Sequence, residues 1–453
     1  MIISIFLDYR SKVENLSREG IFVHCRFLLE ALLVQYPDFG VEIWTYSFNL
    51  YEVKKAFGAI ILNNPDRVFI YDESRFLKIN SNQIYRIPVK KKVKILAHSI
   101  LYLLFRSDRF KRGIINNSRK KFIPNVRLFE NALLNAYKSC SKAKVIYLPG
   151  AVFRVAEKLR LPKVIAVHDL FTVSHRDLFI KDSKWIDMHN TIVISNLKAF
   201  ARQNSVFVSS TEYIARYHTY RFVPGVRRNQ IRVIPFPPLI KRLSDLEDGT
   251  ASDIKTKQHS IESEYIFYPT QIRPNKNVIT LVKALEYLFI KYHLDLKLVT
   301  TGRIKDSAEL SSYVEKNNLQ RTVIEVGTLS DQELAAYYAH SRIVVIPSII
   351  EGMGISGQCL EALYMGNIPI VHAISDGIDE SLASVGLDRY SADLNWFLYN
   401  DYQQCAEQIY TAYTEREKTI KKQAGIIGHY LALNWTEVAK KYYELFEELA
   451  AYN

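Results

Sequence analysis

The sequence predicts an α/β protein made of two doubly wound parallel sheets. Three observations carry that expectation. Short apolar, β-rich runs alternate along the chain with longer stretches of helical period. The alternation is interrupted once, by a polar segment without apolar period at residues 241–264. A chain of 453 residues also exceeds one ordinary core and suits two large domains. Hydrophobic content of 48% and charged content of 24% fit packed globular domains and exclude a disordered chain.

In chain order, IISIFL, VEIWTY, RVFIY, KVIYLP, KVIAVHDL, SVFVSS and IRVIPF read as strands of a first domain, residues 1–240. Helical period follows several of them, as in FVHCRFLLEALLVQY, where apolar residues recur every three to four positions. The opening MIISIFLDYR has no basic leader and soon meets charge, so it is expected to be a buried strand rather than a signal peptide. KRLSDLEDGTASDIKTKQHSIESE is the expected linker. A second alternation, YIFYPTQ, LKLVTTG, TVIEVG, IVVIPS and IPIVHA, then builds a domain over residues 265–430. Two such sheets would face each other across a cleft lined by the C-terminal ends of their strands. The sequence has no internal repeat and no low-complexity tract.

Cys25, Cys140, Cys359 and Cys405 lie far apart without metal-ligand spacing, which points to reduced thiols and a cytoplasmic protein. The longest apolar run, ILAHSILYLLF, is too short to cross a bilayer. Charge is uneven. Residues 86–144 hold 16 Lys and Arg against Asp108 and Glu130, so with a net charge of +13 the rest of the chain sums to −1. Cationic clusters there flank the apolar run, a pattern that suits an anionic membrane surface. A solvated or substrate-facing patch and nucleic acid are the rival readings. The expectation is peripheral attachment at the inner face of the membrane, with no nucleic acid.

The second domain carries the motifs. PSIIEGMGISGQCLEALYMGNIPIV reads as strand, glycine-rich turn and helix, with Glu351 and Glu361 at either side of Gly352, Gly354 and Gly357. Such a turn offers backbone N–H groups to an anion and lets a ligand lie close to the main chain. Glu361, expected on the first turn of the helix, suits a sugar or ribose diol. YPTQIRPNKN places Arg273 and Lys276 in a turn above a strand end, where two cations could hold a diphosphate. LVTTGR ends a strand at Gly302, another point of close backbone approach. Ser330 and Glu333 form a capping box.

The order RPNKN, TTGR, VGTLSDQEL, PSIIEGMGI…LEAL and GNIPIV resembles the C-terminal half of GT-B glycosyltransferases, closest to the retaining family called group 1 or family 4. REGIFVHCRFLLEAL, KVIAVHDL, SVFVSSTEYIARY and NWTEVAKKYYELFEEL resemble its first loop and helix, its histidine-ended strand, a further strand and helix, and its terminal crossing helix at residues 431–453. The likeness covers most of the chain and is specific over residues 268–371. It implies two Rossmann-like domains, the first binding acceptor and the second binding a nucleotide-diphosphate sugar as donor substrate. It implies that Lys276, assisted by Arg273, holds the diphosphate and that Glu361 binds the ribose. Glu351 and the Gly352 and Gly354 backbone would hold the transferred sugar, Gly20 and Gly302 would admit the phosphates, and His168 would bond the sugar at the reacting centre. No cofactor and no metal are implied. The acceptor would be a saccharide or a lipid-linked saccharide, in cell-surface polysaccharide or glycolipid synthesis. The chain departs from the pattern in three places. Its two glutamates stand ten apart rather than eight, Gln271 stands where the family has an arginine, and the first loop has one glycine where two are common. These departures leave a non-catalytic GT-B subunit that stabilises a partner enzyme as the alternative.

Overall fold

The computed structural model describes residues 1–7, 20–46, 49–72, 126–150, 154–178, 183–235, 237–240, 261, 263–349, 351, 357–372, 395–397, 401–423 and 434–451. Gly352 and Gly354, ILAHSILYLLF with most of the basic segment, and nearly all of the expected linker lie outside the described residues.

Seven strands form the first sheet: β1 (Ile2–Leu7), β2 (Gly40–Thr45), β3 (Val68–Tyr71), β4 (Val145–Leu148), β5 (Lys163–Val167), β6 (Ser205–Ser209) and β7 (Ile231–Val233). Six form the second: β8 (Tyr265–Tyr268), β9 (Lys297–Thr300), β10 (Val323–Glu325), β11 (Ile343–Ile346), β12 (Pro369–His372) and β13 (Asn395–Phe397). Every pairing is parallel. The strand orders are β3-β2-β1-β4-β5-β6-β7 and β10-β9-β8-β11-β12-β13. Each sheet therefore grows outward in both directions from its first strand, and its winding reverses between β1 and β4 and between β8 and β11. A crevice opens at such a reversal beyond the C-terminal strand ends. The fold class is the expected one.

Among the described residues the α-helices of eight or more residues are α1 (Gly20–Gln35), α2 (Leu50–Asn63), α3 (Val126–Cys140), α4 (Ser183–Ala201), α5 (Val278–Tyr292), α6 (Ala308–Lys316), α7 (Asp331–His340), α8 (Gly357–Tyr364), α9 (Tyr402–Thr414) and α10 (Trp435–Ala451). In β1, Ile3, Ile5 and Leu7 face one side, packing with Leu28, Leu32 and Phe57 of α1 and α2. Phe6 faces the other, with Tyr137 and Phe200 from α3 and α4. A strand covered on both faces becomes a continuous apolar run, which is why these strands were legible. One core fills the second domain, centred on Phe267, Val299, Val345 and Ile370. The last described helix returns to the first domain: Tyr442 and Phe446 of α10 pack on Tyr147, and Trp435 Nε1 donates to the Pro238 carbonyl at 3.2 Å.

Candidate active site

The site is assembled at the two reversals of winding. After β8, Pro274 opens a short 3-10 turn, Pro274–Lys276, and Asn277 closes it with φ of 48°. Asn is among the few side chains that tolerate this left-handed conformation. Two bonds draw the end of β11 against the turn: Ile349 N–H donates to the Asn275 carbonyl at 2.8 Å, and the Tyr268 and Ser348 hydroxyls pair at 2.7 Å. Lys276 Nζ thereby meets Glu351 Oε1 at 2.6 Å, with the two side chains only 15% and 12% exposed. Burial works against the ammonium, but Glu351 outweighs it and holds Lys276 above the ordinary lysine value. The cation expected for the diphosphate and the acid expected for the sugar thus touch. An entering diphosphate would share Lys276 with Glu351, whose carboxylate keeps acceptor capacity for hydroxyls. Arg273 lies at the rim of the same turn, where its guanidinium donates to the Gln271 side-chain carbonyl. The departure at Gln271 therefore braces the neighbouring cation.

Glu361 stands on the second turn of α8, not on the first as expected, because the described helix starts at Gly357. Its Oε2 accepts from the Tyr338 hydroxyl of α7 at 2.7 Å. Burial pushes the Glu361 carboxyl up to about 7, the Tyr338 bond opposes this, and the charge of Asp331 adds to it. The capping box at the head of α7 is present, with Ser330 N–H to Glu333 Oε2 at 2.7 Å and Glu333 N–H to Ser330 Oγ at 3.2 Å. At Gly302 the close approach is to the protein itself. A Cβ there would lie 2.6 Å from the Thr270 carbonyl and 2.8 Å from Ile272, so glycine lets the loop after β9 pack under the Arg273–Lys276 turn.

From the first domain, His168 follows β5, with Nε2 2.8 Å from the Pro149 carbonyl at the end of β4. Burial lowers its pKa to about 4, against the pull of that carbonyl. The imidazole is neutral, and a carbonyl partner requires the proton on Nε2. Gly20 begins α1, and among the described residues a Cβ there would meet nothing within 4 Å. The sequence reading passed over Asp169. Burial raises this carboxyl to about 6, with Glu351 adding and Lys276 and Arg273 opposing, which sets it electrostatically against the second domain's site. Its Oδ1 accepts from Phe171 N–H at 3.3 Å, and the next residue, Leu170, donates its N–H to His218 Nδ1 at 2.9 Å. The signal was the HDL triplet itself, a carboxylate beside a strand-end histidine. Among the described residues no group of His, Cys, Asp and Glu could hold a metal ion.

The strand ends bring Lys276 and Glu351 into contact, with Asp169 of the first domain in the field of their charges, and the chain is similar to known glycosyl transferases. Residues 251–419 match the family described as Glycosyl transferases group 1. Serotype-specific mannosyltransferase WbdA of Escherichia coli is 22% identical over 216 residues, 47% of this chain and 25% of that protein. The match therefore spans about a quarter of this curated relative. Sucrose-phosphate synthase from Thermosynechococcus elongatus superposes with a TM-score of 0.63 at 17% identity, covering 100% of both chains. HepE of Anabaena, in complex with UDP and glucose, superposes with a TM-score of 0.62 at 12% identity, covering 99% of this chain and 100% of its own. The chain has the GT-B fold, and over residues 251–419 it is similar to group 1 glycosyl transferases.

Proposed function

We propose that the protein is a retaining glycosyltransferase that moves a hexosyl unit from a nucleotide-diphosphate sugar to a saccharide or lipid-linked saccharide, in cell-surface polysaccharide or glycolipid synthesis. The observation that carries this reading is the Lys276–Glu351 pair at the winding reversal of the second sheet, inside the region that matches group 1 glycosyl transferases. In the proposed reaction the acceptor hydroxyl approaches the anomeric carbon on the face the diphosphate leaves. The bond from that carbon to the phosphate oxygen breaks with its electron pair going to the diphosphate, and the hydroxyl proton passes to the departing oxygen. Lys276, with Arg273 at the rim, opposes the charge growing on the diphosphate, an electrostatic contribution strengthened by its enclosed position. Glu351 and neutral His168 hydrogen-bond the transferred sugar, and Glu361 takes the ribose. The assembled charges speak against the non-catalytic alternative.

A panel of UDP-, GDP- and ADP-hexoses tests the reading, with GDP-mannose first because WbdA is a mannosyltransferase. The true donor at about a hundred times its Kd raises the free energy of unfolding by roughly 2.7 kcal/mol and so lifts Tm. With acceptor extract it releases nucleoside diphosphate. A panel that neither stabilises the fold nor yields product defeats the assignment.

Peripheral attachment to the inner face of the membrane is part of the same proposal. Among the described residues no helix is long and apolar enough to cross a membrane. The charge of residues 86–144 supports surface binding, since each Lys or Arg near anionic lipid contributes about 1 kcal/mol. The expected result is sedimentation with anionic but not neutral liposomes, weakened by salt and largely lost when Lys90, Lys91, Lys92 and Lys94 become Ser. Equal binding to both vesicle types would refute it.

A further inference from the structure

We infer that Arg26 is a positioning residue of the donor site: its ion pair with Asp331 fastens the first domain to the helix that backs Glu361, so that closing the cleft and holding the nucleotide reinforce each other. The inference rests on the donor-site reading above and deepens it.

Arg26 lies on α1, the helix that begins at Gly20, and its Nη2 reaches Asp331 Oδ2 of the other domain at 2.7 Å. The two side chains are 20% and 33% exposed, so the pair is partly shielded from solvent and salt. Neighbours aim the arginine. Its guanidinium sits 5.3 Å from the centre of the Phe27 ring, and Phe27 stacks on Trp435 at 5.5 Å, where α10 begins. Asp331 is equally fixed. It is the first residue of α7, behind the Ser330–Glu333 capping box, where the helix end favours a carboxylate. Two turns along the same helix, Tyr338 holds Glu361. A rigid ten-residue helix therefore joins the inter-domain contact to the ribose-facing acid.

Charge supports the same coupling. The groups facing Glu361 are Tyr338 and Asp331 from α7, with Tyr268 of β8 and Cys359 of α8 beyond Tyr338, and Arg26 beyond Asp331. The negative charge of Asp331 disfavours ionised Glu361, and Arg26 offsets that charge. An ionised Glu361 is the form that accepts hydrogen bonds from both ribose hydroxyls. Loss of Arg26 thus moves the ionisation of Glu361 upward, and loss of the Asp331 charge moves it downward.

Calorimetric titration with UDP-glucose and GDP-mannose between pH 5.5 and 8.5 tests this, because diphosphate esters do not titrate there. Arg26→Gln is expected to weaken binding of the better ligand by about five-fold at pH 7. It should also raise the pH midpoint of binding, while Arg26→Lys retains most affinity. Asp331→Asn lowers the midpoint, and adding Arg26→Gln to it costs little further affinity, since the latch is already broken. Unchanged affinity and midpoint in Arg26→Gln, or losses that simply add in the double variant, would overturn the inference while leaving the donor site standing. A wild-type protein that binds neither compound overturns the donor-site reading and this inference with it.

Discussion

Lys276→Ala is expected to lower transfer by about 10²- to 10³-fold, the scale for losing one preorganised group at a developing charge. The same variant loses affinity for UDP or GDP far more than for the parent nucleosides, because the missing contact is to phosphate. Stability falls too. Glu351, 12% exposed, is left without its 2.6 Å partner, at a cost of about 2–3 kcal/mol, below the range for a wholly enclosed pair. Lys276→Ala with Glu351→Ala restores most of the Tm but none of the transfer, which separates the structural part of the pair from the chemical part. Denaturant unfolding and calorimetry measure the two parts independently. Equal weakening of nucleotide and nucleoside would remove Lys276 from the phosphate site.

How much of this was legible in the sequence depends on how local each feature is. The twelve strands named from the sequence are present because burial on both faces writes itself as an apolar run. The thirteenth, Asn395–Phe397, is three residues long and leaves no such run. A π-helical stretch at Ile214–Tyr220 likewise has no period the sequence reading could detect. Lys276 and Glu351 were each legible in their turns, but their contact spans 75 positions. It depends on β8 pairing with β11 in the register Ile266 with Ile343. Tyr338 reads as one more apolar position of a core-facing helix, and only the packing of α7 beside α8 turns its hydroxyl to Glu361. Nothing local in α1 marks Arg26, since its partner lies 305 positions away in the other domain. Motifs reported the charges, and topology decided which of them meet.

His168→Ala is expected to cut turnover by about 10²-fold while leaving donor affinity nearly unchanged, as for a group whose hydrogen bond strengthens in the transition state. The pH profile separates its role from that of Glu361. With a pKa lowered to about 4, His168 stays neutral down to mildly acidic pH and adds no limb to the profile near neutrality. Glu361, raised to about 7, does titrate there. Donor binding that needs the carboxylate is strong above pH 7 and weakens as protons fill Glu361 below it, roughly ten-fold for each pH unit well below the midpoint. The acid limb of kcat/KM for donor therefore persists in His168→Ala, on a lowered plateau, and flattens in Glu361→Gln. The reverse outcome, a limb lost with His168 and kept without Glu361, would mean that protonation of His168, and not of Glu361, shuts the reaction off on the acid side. The Pro149 carbonyl, 2.8 Å from Nε2, requires a proton on that nitrogen, and in the neutral ring it is the sole one. Asparagine at this position keeps a side-chain acceptor without a titratable ring. His168→Asn accordingly recovers part of the turnover lost in His168→Ala, with the same pH dependence.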